Sequence, residues 1–298
     1  MQMSLEMDHK EKQKRSSDRN TDQKPDQNSG RKKTDSGELN ELFEKLPGRL
    51  SFYYKNLVTG ECYAYHAEET MMAASVIKLF IMAAAFARIE RGELREDQLL
   101  SMKKEDYVPS CGAIAYLHEG IQVTILDLIT LMIIFSDNTA TNVLIDQIGM
   151  ETIQEEIRAL GYQKTRLQRH MYDLEKSSRG IQNLITAEET ADLLERMYRG
   201  TLVSRKASEK MTEILKNQQL NGKIPFYLQA LEEEPEIAHK TGEDTGISHD
   251  VGIVYAKNPF LVCFCGNQTD TPAWERVMAE VSLELYQKEV WSNENTEN

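Results

Sequence analysis

The sequence predicts an α/β protein of the α+β type, in which strands from both ends of the chain form one sheet. Two segments near the start, residues 50–57 and 61–67, are rich in aromatic residues and alternate between polar and apolar positions. From residue 74 to about 220 the apolar residues recur at helical spacing, and after Pro235 the period returns to two. The two ends therefore meet in one sheet, and the first and last helices cover one of its faces.

The individual elements follow from the same periodicity. Residues 37–46 have the pattern of an amphipathic helix, and Val58-Thr59-Gly60 is the turn of a hairpin between the first two strands. Thr186 and Glu189 have the spacing of a capping box at the start of a helix. The remaining helices are predicted at residues 74–87, 123–135, 139–149, 151–161, 186–200, 204–219 and 271–290, and the later strands at residues 236–241, 250–257 and 260–267.

The composition indicates one large globular domain after a polar tail. The 298 residues include 35 basic and 48 acidic side chains, so the net charge is −13, and no concentrated basic face suggests a nucleic-acid partner. Residues 1–37 contain almost no aliphatic or aromatic side chains and cannot bury enough surface to offset the entropy of ordering. We therefore predict a disordered tail at residues 1–37.

No segment predicts a membrane span or a secretory signal. The longest apolar runs, residues 71–87 and 129–135, are shorter than the roughly 20 residues that a spanning helix needs, and the first contains Lys78. The start of the chain lacks the apolar core of a signal peptide. If the sequence is complete, these features predict a cytoplasmic protein; otherwise its localisation stays open.

The cysteines and histidines indicate neither disulfides nor a metal. Cys263 and Cys265 alternate on one face of a predicted strand, which rarely suits a disulfide. We expect them and the other two cysteines, Cys62 and Cys111, to be reduced structural thiols. The six histidines are scattered without the spacing of a metal site, so we expect neither a metal nor another cofactor.

A serine and a lysine three residues apart mark a candidate nucleophile. Of three S-x-x-K stretches, only Ser75-Val-Ile-Lys78 opens an apolar helix, where both side chains share one face. Ser75 is predicted in the first turn of that helix, where free N–H groups favour developing negative charge. A desolvated lysine has a lowered pKa and can act as the base that activates a serine hydroxyl. A snorkelling lysine beside a capping serine is the structural alternative.

Two further motifs support the functional interpretation. Ser136-Asp137-Asn138 follows a predicted buried helix, and Lys240-Thr241-Gly242 ends a predicted strand. Each is a common composition for a loop or a strand end when taken alone. The three motifs together, in this order and on these predicted elements, are not easily accidental.

This motif set resembles that of the class A β-lactamases and the wider penicillin-recognising serine enzymes. The resemblance covers roughly residues 38–292 and implies a five-stranded antiparallel sheet flanked by the terminal helices, with an all-helical lobe packed on it. It thus predicts one catalytic domain at residues 38–298. Its α/β lobe comprises residues 38–70 and 221–292, its helical lobe comprises residues 71–220, and the site lies between them.

The resemblance also implies a role for each catalytic residue. Ser75 would be the nucleophile that accepts the acyl group, and Lys78 would be its base or proton partner. Ser136 would relay a proton to the departing nitrogen. The oxyanion hole would consist of the backbone N–H groups of Ser75 and Glu243, which the unusual glutamate side chain does not preclude.

A second set of residues would bind the substrate. Asn138 would hold the amide side chain of the substrate and the lysine. Lys240 and Thr241 would bind the substrate carboxylate by charge and hydrogen bond. Gly242 would let the strand edge approach the ligand.

The sequence departs from the family at the loop that carries the deacylating glutamate. The family pattern is R-L-x-R-x-E-x-x-L-N, and residues 166–175 place Met171 at the glutamate and Glu175 at the asparagine. Methionine cannot take a proton, and loss of a positioned general base typically costs about 10²–10⁴-fold in that step. Asp173 or Glu175 could replace the base only with a re-threaded loop, and solvent-facing charges are the alternative for both.

A second departure concerns the arginine that the family often uses, on the neighbouring strand, to assist with the substrate carboxylate. His249 and Asp250 are found there instead. His249 could substitute when charged, and a surface turn histidine is the alternative.

Four functions remain open at this point. The first is a β-lactamase-like serine hydrolase with slow deacylation. The second is a D-alanyl carboxypeptidase or esterase, which the missing signal peptide disfavours. The third is a penicillin-binding sensor that acylates without turnover, and the fourth is a scaffold without chemistry, which the complete motif set disfavours. All three active alternatives imply a small-molecule substrate and no nucleic acid, and we expect a monomer.

Overall fold

A computed structural model describes residues 36–291 of the chain. The α-helices are α1 (Ser36–Glu44), α2 (Ile77–Glu90), α3 (Ile125–Ile134), α4 (Asn138–Ile148), α5 (Met150–Ala159), α6 (Leu174–Ser178), α7 (Ala187–Tyr198), α8 (Arg205–Lys216), α9 (Pro225–Leu228) and α10 (Thr271–Trp291). The strands are β1 (Arg49–Asn56), β2 (Cys62–Tyr65), β3 (Met71–Met72), β4 (Leu99–Ser101), β5 (Gln122–Thr124), β6 (Leu184–Ile185), β7 (Ile237–Asp244), β8 (Ile247–Val254) and β9 (Phe260–Asn267). The predicted disordered tail lies outside the described residues, except that its last two residues open α1.

Strands from both ends of the chain form one five-stranded sheet, as the sequence predicts. The order is β2-β1-β9-β8-β7, and every neighbouring pair is antiparallel. The pairing of β1 with β9 joins the amino-terminal hairpin to the carboxyl-terminal meander, and this arrangement confirms the predicted α+β fold. β7 forms one edge of the sheet, and it packs against a 3₁₀ turn at Ala74–Val76.

The two faces of the sheet are buried by different parts of the chain. On the outer face, α1 and α10 cover an aromatic cluster in which Phe43, Phe52, Phe264 and Trp274 are in ring contact. On the inner face, the sheet packs against the helices between β3 and α8, and the central helix α2 is buried along most of its length. Burial on all sides explains why α2 is apolar all round rather than amphipathic.

Several helix starts follow the predicted capping chemistry. The Thr186 hydroxyl accepts a hydrogen bond from the Glu189 N–H at the start of α7. The capping box predicted there forms only in this half, because the Glu189 carboxylate instead accepts hydrogen bonds from the backbone N–H groups of residues 163–165. A full capping box forms at α3, between Thr124 and Asp127.

The structure corrects two predicted strands at the sheet edge. β7 extends to Asp244, so the Lys240-Thr241-Gly242 motif lies inside a strand rather than at its end. β8 begins at Ile247, and a two-residue turn at Thr245 and Gly246 connects it to β7. Residues 247–250 therefore belong to a strand rather than to a loop.

None of the helices in the described part of the chain combines the length and apolar character that a membrane crossing requires.

Candidate active site

Ser75 lies at the junction between the sheet and the buried central helix. It belongs to the 3₁₀ turn at Ala74–Val76, and α2 begins two residues later at Ile77. The prediction that Ser75 occupies the first turn of the α-helix is therefore wrong by a few residues. The preceding Ala74 has a φ of 42°, in the left-handed region that alanine rarely adopts. Such strain costs about 1–3 kcal/mol and persists only where the surrounding packing enforces it, which is typical of functional sites.

Lys78 is completely buried one turn beyond Ser75 and is held by hydrogen bonds to the segment that follows α3. Its ammonium nitrogen lies 2.7 Å from the Ser136 carbonyl oxygen, 3.1 Å from Ser136 Oγ and 2.8 Å from Asn138 Oδ1. Burying a lysine without an acidic partner at hydrogen-bond distance costs free energy. Hydrogen bonds to these neutral groups reduce that cost. The helix, rather than a bond to the Ser75 hydroxyl, places Lys78 beside the serine.

The Ser136-Asp137-Asn138 turn is fixed from two sides. Ser136 adopts a φ of 55°, which turns its side chain toward the lysines, and Asp137 caps α4 by accepting a hydrogen bond from the Ala140 N–H. The second carboxylate oxygen of Asp137 accepts hydrogen bonds from the N–H groups of Ala113 and Ile114. Asp137 thus ties the loop before α3 to the turn and explains why the middle residue of this motif is acidic.

The edge strand β7 brings the third motif to the same place. Lys240 is fully buried, and its Nζ lies 3.1 Å from Ser136 Oγ and 2.8 Å from the Thr241 carbonyl oxygen. Gly242 is needed for this approach, because a Cβ there would lie 3.0 Å from Val76 Cγ2 and 3.3 Å from the Ala73 carbonyl oxygen. A side chain at this position would require its neighbours to shift by a few tenths of an ångström.

Ser136 Oγ therefore bridges two buried lysines. Burial lowers the pKa of Lys78 well below that of an ordinary lysine, and the positive charge of Lys240 lowers it further. Burial lowers the pKa of Lys240 to about 7, an effect that the carboxylate of Asp250 opposes. When Lys78 is neutral, it can donate to the Ser136 carbonyl and to Asn138, and its one lone pair is left to accept a proton from a hydroxyl.

Four predicted residues, Lys78, Ser136, Asn138 and Lys240, thus share one hydrogen-bonded cluster, and Gly242 packs against the turn that carries Ser75. The described interactions give no side-chain partner for Thr241, which continues the same strand. The oxyanion hole at the backbone N–H groups of Ser75 and Glu243 stays a prediction; the close packing of β7 on the 3₁₀ turn puts both residues on facing segments.

The loop at residues 166–181 keeps its framework without the glutamate. Asn142 on α4 accepts a hydrogen bond from the Met171 N–H and donates one to the Met171 carbonyl, and the Met171 side chain packs against the core of the helical part. Asp173 caps the short helix α6, and the exposed Glu175 pairs with Arg179. Asp173 and Glu175 therefore have structural partners, and neither supplies a replacement base in this loop conformation.

The structure contradicts both interpretations of His249. The residue is fully buried in β8 rather than in a surface turn, and burial lowers its pKa to about 4. Its Nε2 donates to the Met72 carbonyl, 2.8 Å away, and its Nδ1 accepts from the Gly266 N–H at 3.0 Å. With both ring nitrogens occupied by backbone groups, His249 is neutral and cannot replace a cation for a substrate carboxylate. Asp250 faces the other side and pairs with His239.

Two residues outside the three motifs also contact the site. Asn142 lies one helical turn after Asn138 on α4, and this spacing could have placed both on one face. Lys223 is 3% exposed and pairs with Glu243, directly after the third motif. No local pattern singles out Lys223, because its role depends on a strand that lies later in the chain.

The chain is similar in sequence to a known protein family and to individual proteins. A sequence model of the β-lactamase enzyme family matches residues 36–288. The β-lactamase CARB-3 of Pseudomonas aeruginosa is 23% identical over 181 residues, which cover 60% of this chain and 62% of that protein, less than two thirds of its length.

Solved structures with the same fold include two informative examples. A β-lactamase from Sphaerobacter thermophilus is 28% identical, with a TM-score of 0.73 over 80% of this chain and 90% of that one. A mutant of PBP-A, solved as an acyl-enzyme complex with penicillin G, has a TM-score of 0.76 at 24% identity, over 85% of this chain and 94% of that one. At that identity the PBP-A likeness shows a shared fold.

Proposed function

The chain belongs to the β-lactamase enzyme family, and we propose that it is a serine acyl-transfer enzyme that opens β-lactam or related amide and ester bonds. The observation that carries this proposal is the bridge from Lys78 through Ser136 Oγ to Lys240, at 3.1 Å on each side. A purely structural protein has no physical reason to bury two lysines against one hydroxyl.

Acylation begins when the Ser75 hydroxyl attacks the substrate carbonyl. Lys78, whose pKa is lowered by burial, takes the proton from Ser75 as the new C–O bond forms. The negative charge on the carbonyl oxygen is received by the backbone N–H groups of Ser75 and Glu243. Ser136 then gives its proton to the leaving nitrogen and is reprotonated by Lys78, so the C–N bond breaks and Ser75 keeps the acyl group.

Deacylation is the slow step in this proposal. A water must attack the acyl-enzyme, and its proton needs a base on the side of the loop at residues 166–181. Met171 lies where the family has its glutamate, and Asp173 and Glu175 are held by a helix cap and an ion pair. The adduct on Ser75 is therefore long-lived, and turnover on penicillins is low.

The missing base favours a second candidate, a penicillin-binding sensor that acylates once. A third, a D-alanyl carboxypeptidase or esterase, uses the same acylation residues and differs in its leaving group. Release of D-alanine from a peptidoglycan-like peptide would identify it, whereas the sensor would hold its acyl group indefinitely.

The time course of adduct formation tests the proposal. After exposure to benzylpenicillin, intact-mass spectrometry should show one acyl adduct that decays over minutes to hours, while Ser75→Ala should show none. Circular dichroism of the variant checks that it is folded. An adduct of equal yield in the variant would reject Ser75 as nucleophile, and a permanent adduct would favour the sensor.

A further inference from the structure

A short segment before α9 is hydrogen-bonded to side chains of β7 and β8. Asn221 Oδ1 lies 3.1 Å from His239 Nε2, and the Ile224 N–H donates to Asp250 at 3.0 Å. These contacts hold the intervening Lys223 against the strand that contains the Lys240-Thr241-Gly242 motif. Lys223 is therefore held in place by contacts of residues before and after it in the chain.

Lys223 is a buried cation whose closest anion is the residue after that motif. Its side chain is 4% exposed and forms an ion pair with Glu243, whose own side chain is 59% exposed. A second carboxylate, Glu275, lies 3.9 Å away and also accepts a hydrogen bond from Ser248. Because Glu243 reaches inward from solvent to Lys223, its carboxylate occupies the accessible side of the cation.

This pair lies next to Thr241, which the resemblance implies would bind a substrate anion. Thr241 and Glu243 are two residues apart on β7 and so share one face of the strand. After burial, the charge of Lys223 also contributes to the lowered pKa of Lys240. Lys240 already donates to Ser136 and to the Thr241 carbonyl, so much of its hydrogen-bonding capacity is used within the chain.

We propose that Glu243 is a specificity-determining residue, a built-in carboxylate that neutralises Lys223 and disfavours substrates with a free carboxylate beside the reacting carbonyl. The inference rests on the proposed acyl-transfer function. A substrate carboxylate must either displace Glu243 from Lys223 or lie beside it as a like charge, and both cost free energy. The preferred acyl donors carry an uncharged ester or amide at that position.

A matched substrate pair tests this inference. Benzylpenicillin and its methyl ester differ only in the carboxylate, and intact-mass spectrometry gives the second-order rate constant of Ser75 acylation for each. The readout is the ratio of the two rate constants, carboxylate over ester. Glu243→Gln should raise this ratio roughly tenfold, the effect of about 1.4 kcal/mol for one freed charge partner.

Two further variants separate the ion pair from general charge. Asp244→Asn removes the same charge one residue away and should leave the ratio within about twofold, since Asp244 is exposed and lies on the opposite face of the strand. Adding Lys223→Met to Glu243→Gln should abolish the gain.

An unchanged ratio in Glu243→Gln, or an equal rise in Asp244→Asn, overturns the inference. Acylation of the wild-type protein by the methyl ester reports the proposed function separately. If neither substrate labels Ser75, the proposed function fails and the inference fails with it. If the double variant does not fold, the comparison of Glu243→Gln with Asp244→Asn decides alone.

Discussion

At the scale of single residues, burial lowers the pKa of both lysines in the site. The pKa of Lys240 falls to about 7, so this lysine is about half protonated at neutral pH. The pKa of Lys78 is held well below that of an ordinary lysine by burial and by the nearby charge of Lys240, which favours a role as a base. Lys240 can attract a carboxylate only in its protonated fraction, so carboxylate binding should depend on pH near 7.

We expect acylation by an anionic substrate to weaken as the pH rises through 7. Because Lys240 loses its charge over this range, the second-order rate constant for benzylpenicillin should fall roughly 15-fold between pH 7 and pH 8.5. The methyl ester carries no carboxylate for Lys240 to attract. Its rate constant for acylation should therefore stay level or rise over the same pH range. Stopped-time intact-mass measurements at several pH values would give both curves, and parallel curves would contradict the role of Lys240.

The motif residues could be identified from the sequence, whereas the burial of their neighbours depends on the fold. The sequence places Ser75, Lys78, Ser136 and Lys240 in a recognisable order. It does not reveal that His249 is buried, because that depends on a tight hairpin which shifts the start of β8 by three residues from the prediction. A one-residue change in strand register reverses which face each side chain occupies. A small error in a predicted strand can therefore exchange its buried and exposed side chains.

At the scale of elements, the loop at residues 166–181 is well anchored although its catalytic glutamate is missing. Asn183 accepts hydrogen bonds from the N–H groups of Gln168 and Arg169 and donates to the Arg169 carbonyl. Asn142 holds both backbone groups of Met171. The backbone at position 171 is therefore held in a fixed place, and its side chain is a methionine, which cannot take a proton.

A glutamate at position 171 should convert the slow step into an efficient one. With a carboxylate that can activate water, Met171→Glu should shorten the lifetime of the Ser75 adduct by roughly 10²–10⁴-fold. Met171→Gln has nearly the same shape without the base and should leave the lifetime within a few fold. The decay of the adduct mass after removal of excess benzylpenicillin measures both variants. Equal acceleration by glutamine and glutamate would show that the base is not what the loop lacks.

The long elements were predictable and the short ones were not, for a physical reason. Helices such as α3 and α8 have repeated apolar positions and polar caps within their own sequence. The two-residue strands β3 and β6 have no pattern of their own and exist because Met71 and Met72 pair with residues from a distant loop. Such pairing is a property of the assembled fold rather than of a local stretch.

At the scale of the whole molecule, the site exists because the two ends of the chain enclose the middle. Ser136 follows a helix of the central segment and Lys240 lies on an edge strand near the end, yet both contact one hydroxyl oxygen. The order of the motifs could be predicted from the sequence. Their distances could not, because they depend on Gly242 packing against Val76 and on the sheet order that places β7 at the edge.

The buried His249 makes the stability of the folded protein depend on pH in the acid range. It connects β8 to Met72, just before the turn with Ser75, and to Gly266 on β9, and it is buried in the neutral form. The folded pKa of His249 is about 4, whereas an unfolded histidine titrates near 6.5. The unfolded state therefore binds more protons between these values, and stability falls as the pH drops through this window.

The free energy of unfolding should therefore decrease by about 2 kcal/mol between pH 7 and pH 5 through His249 alone. Urea unfolding followed by circular dichroism at both pH values measures the total change, which also includes the titration of carboxylates. His249→Gln cannot gain a proton, so its change should be smaller than that of the wild type by about this amount. His118→Gln alters an exposed histidine and should retain the wild-type change. An identical pH dependence in His249→Gln and the wild type would mean that the buried imidazole does not govern acid stability.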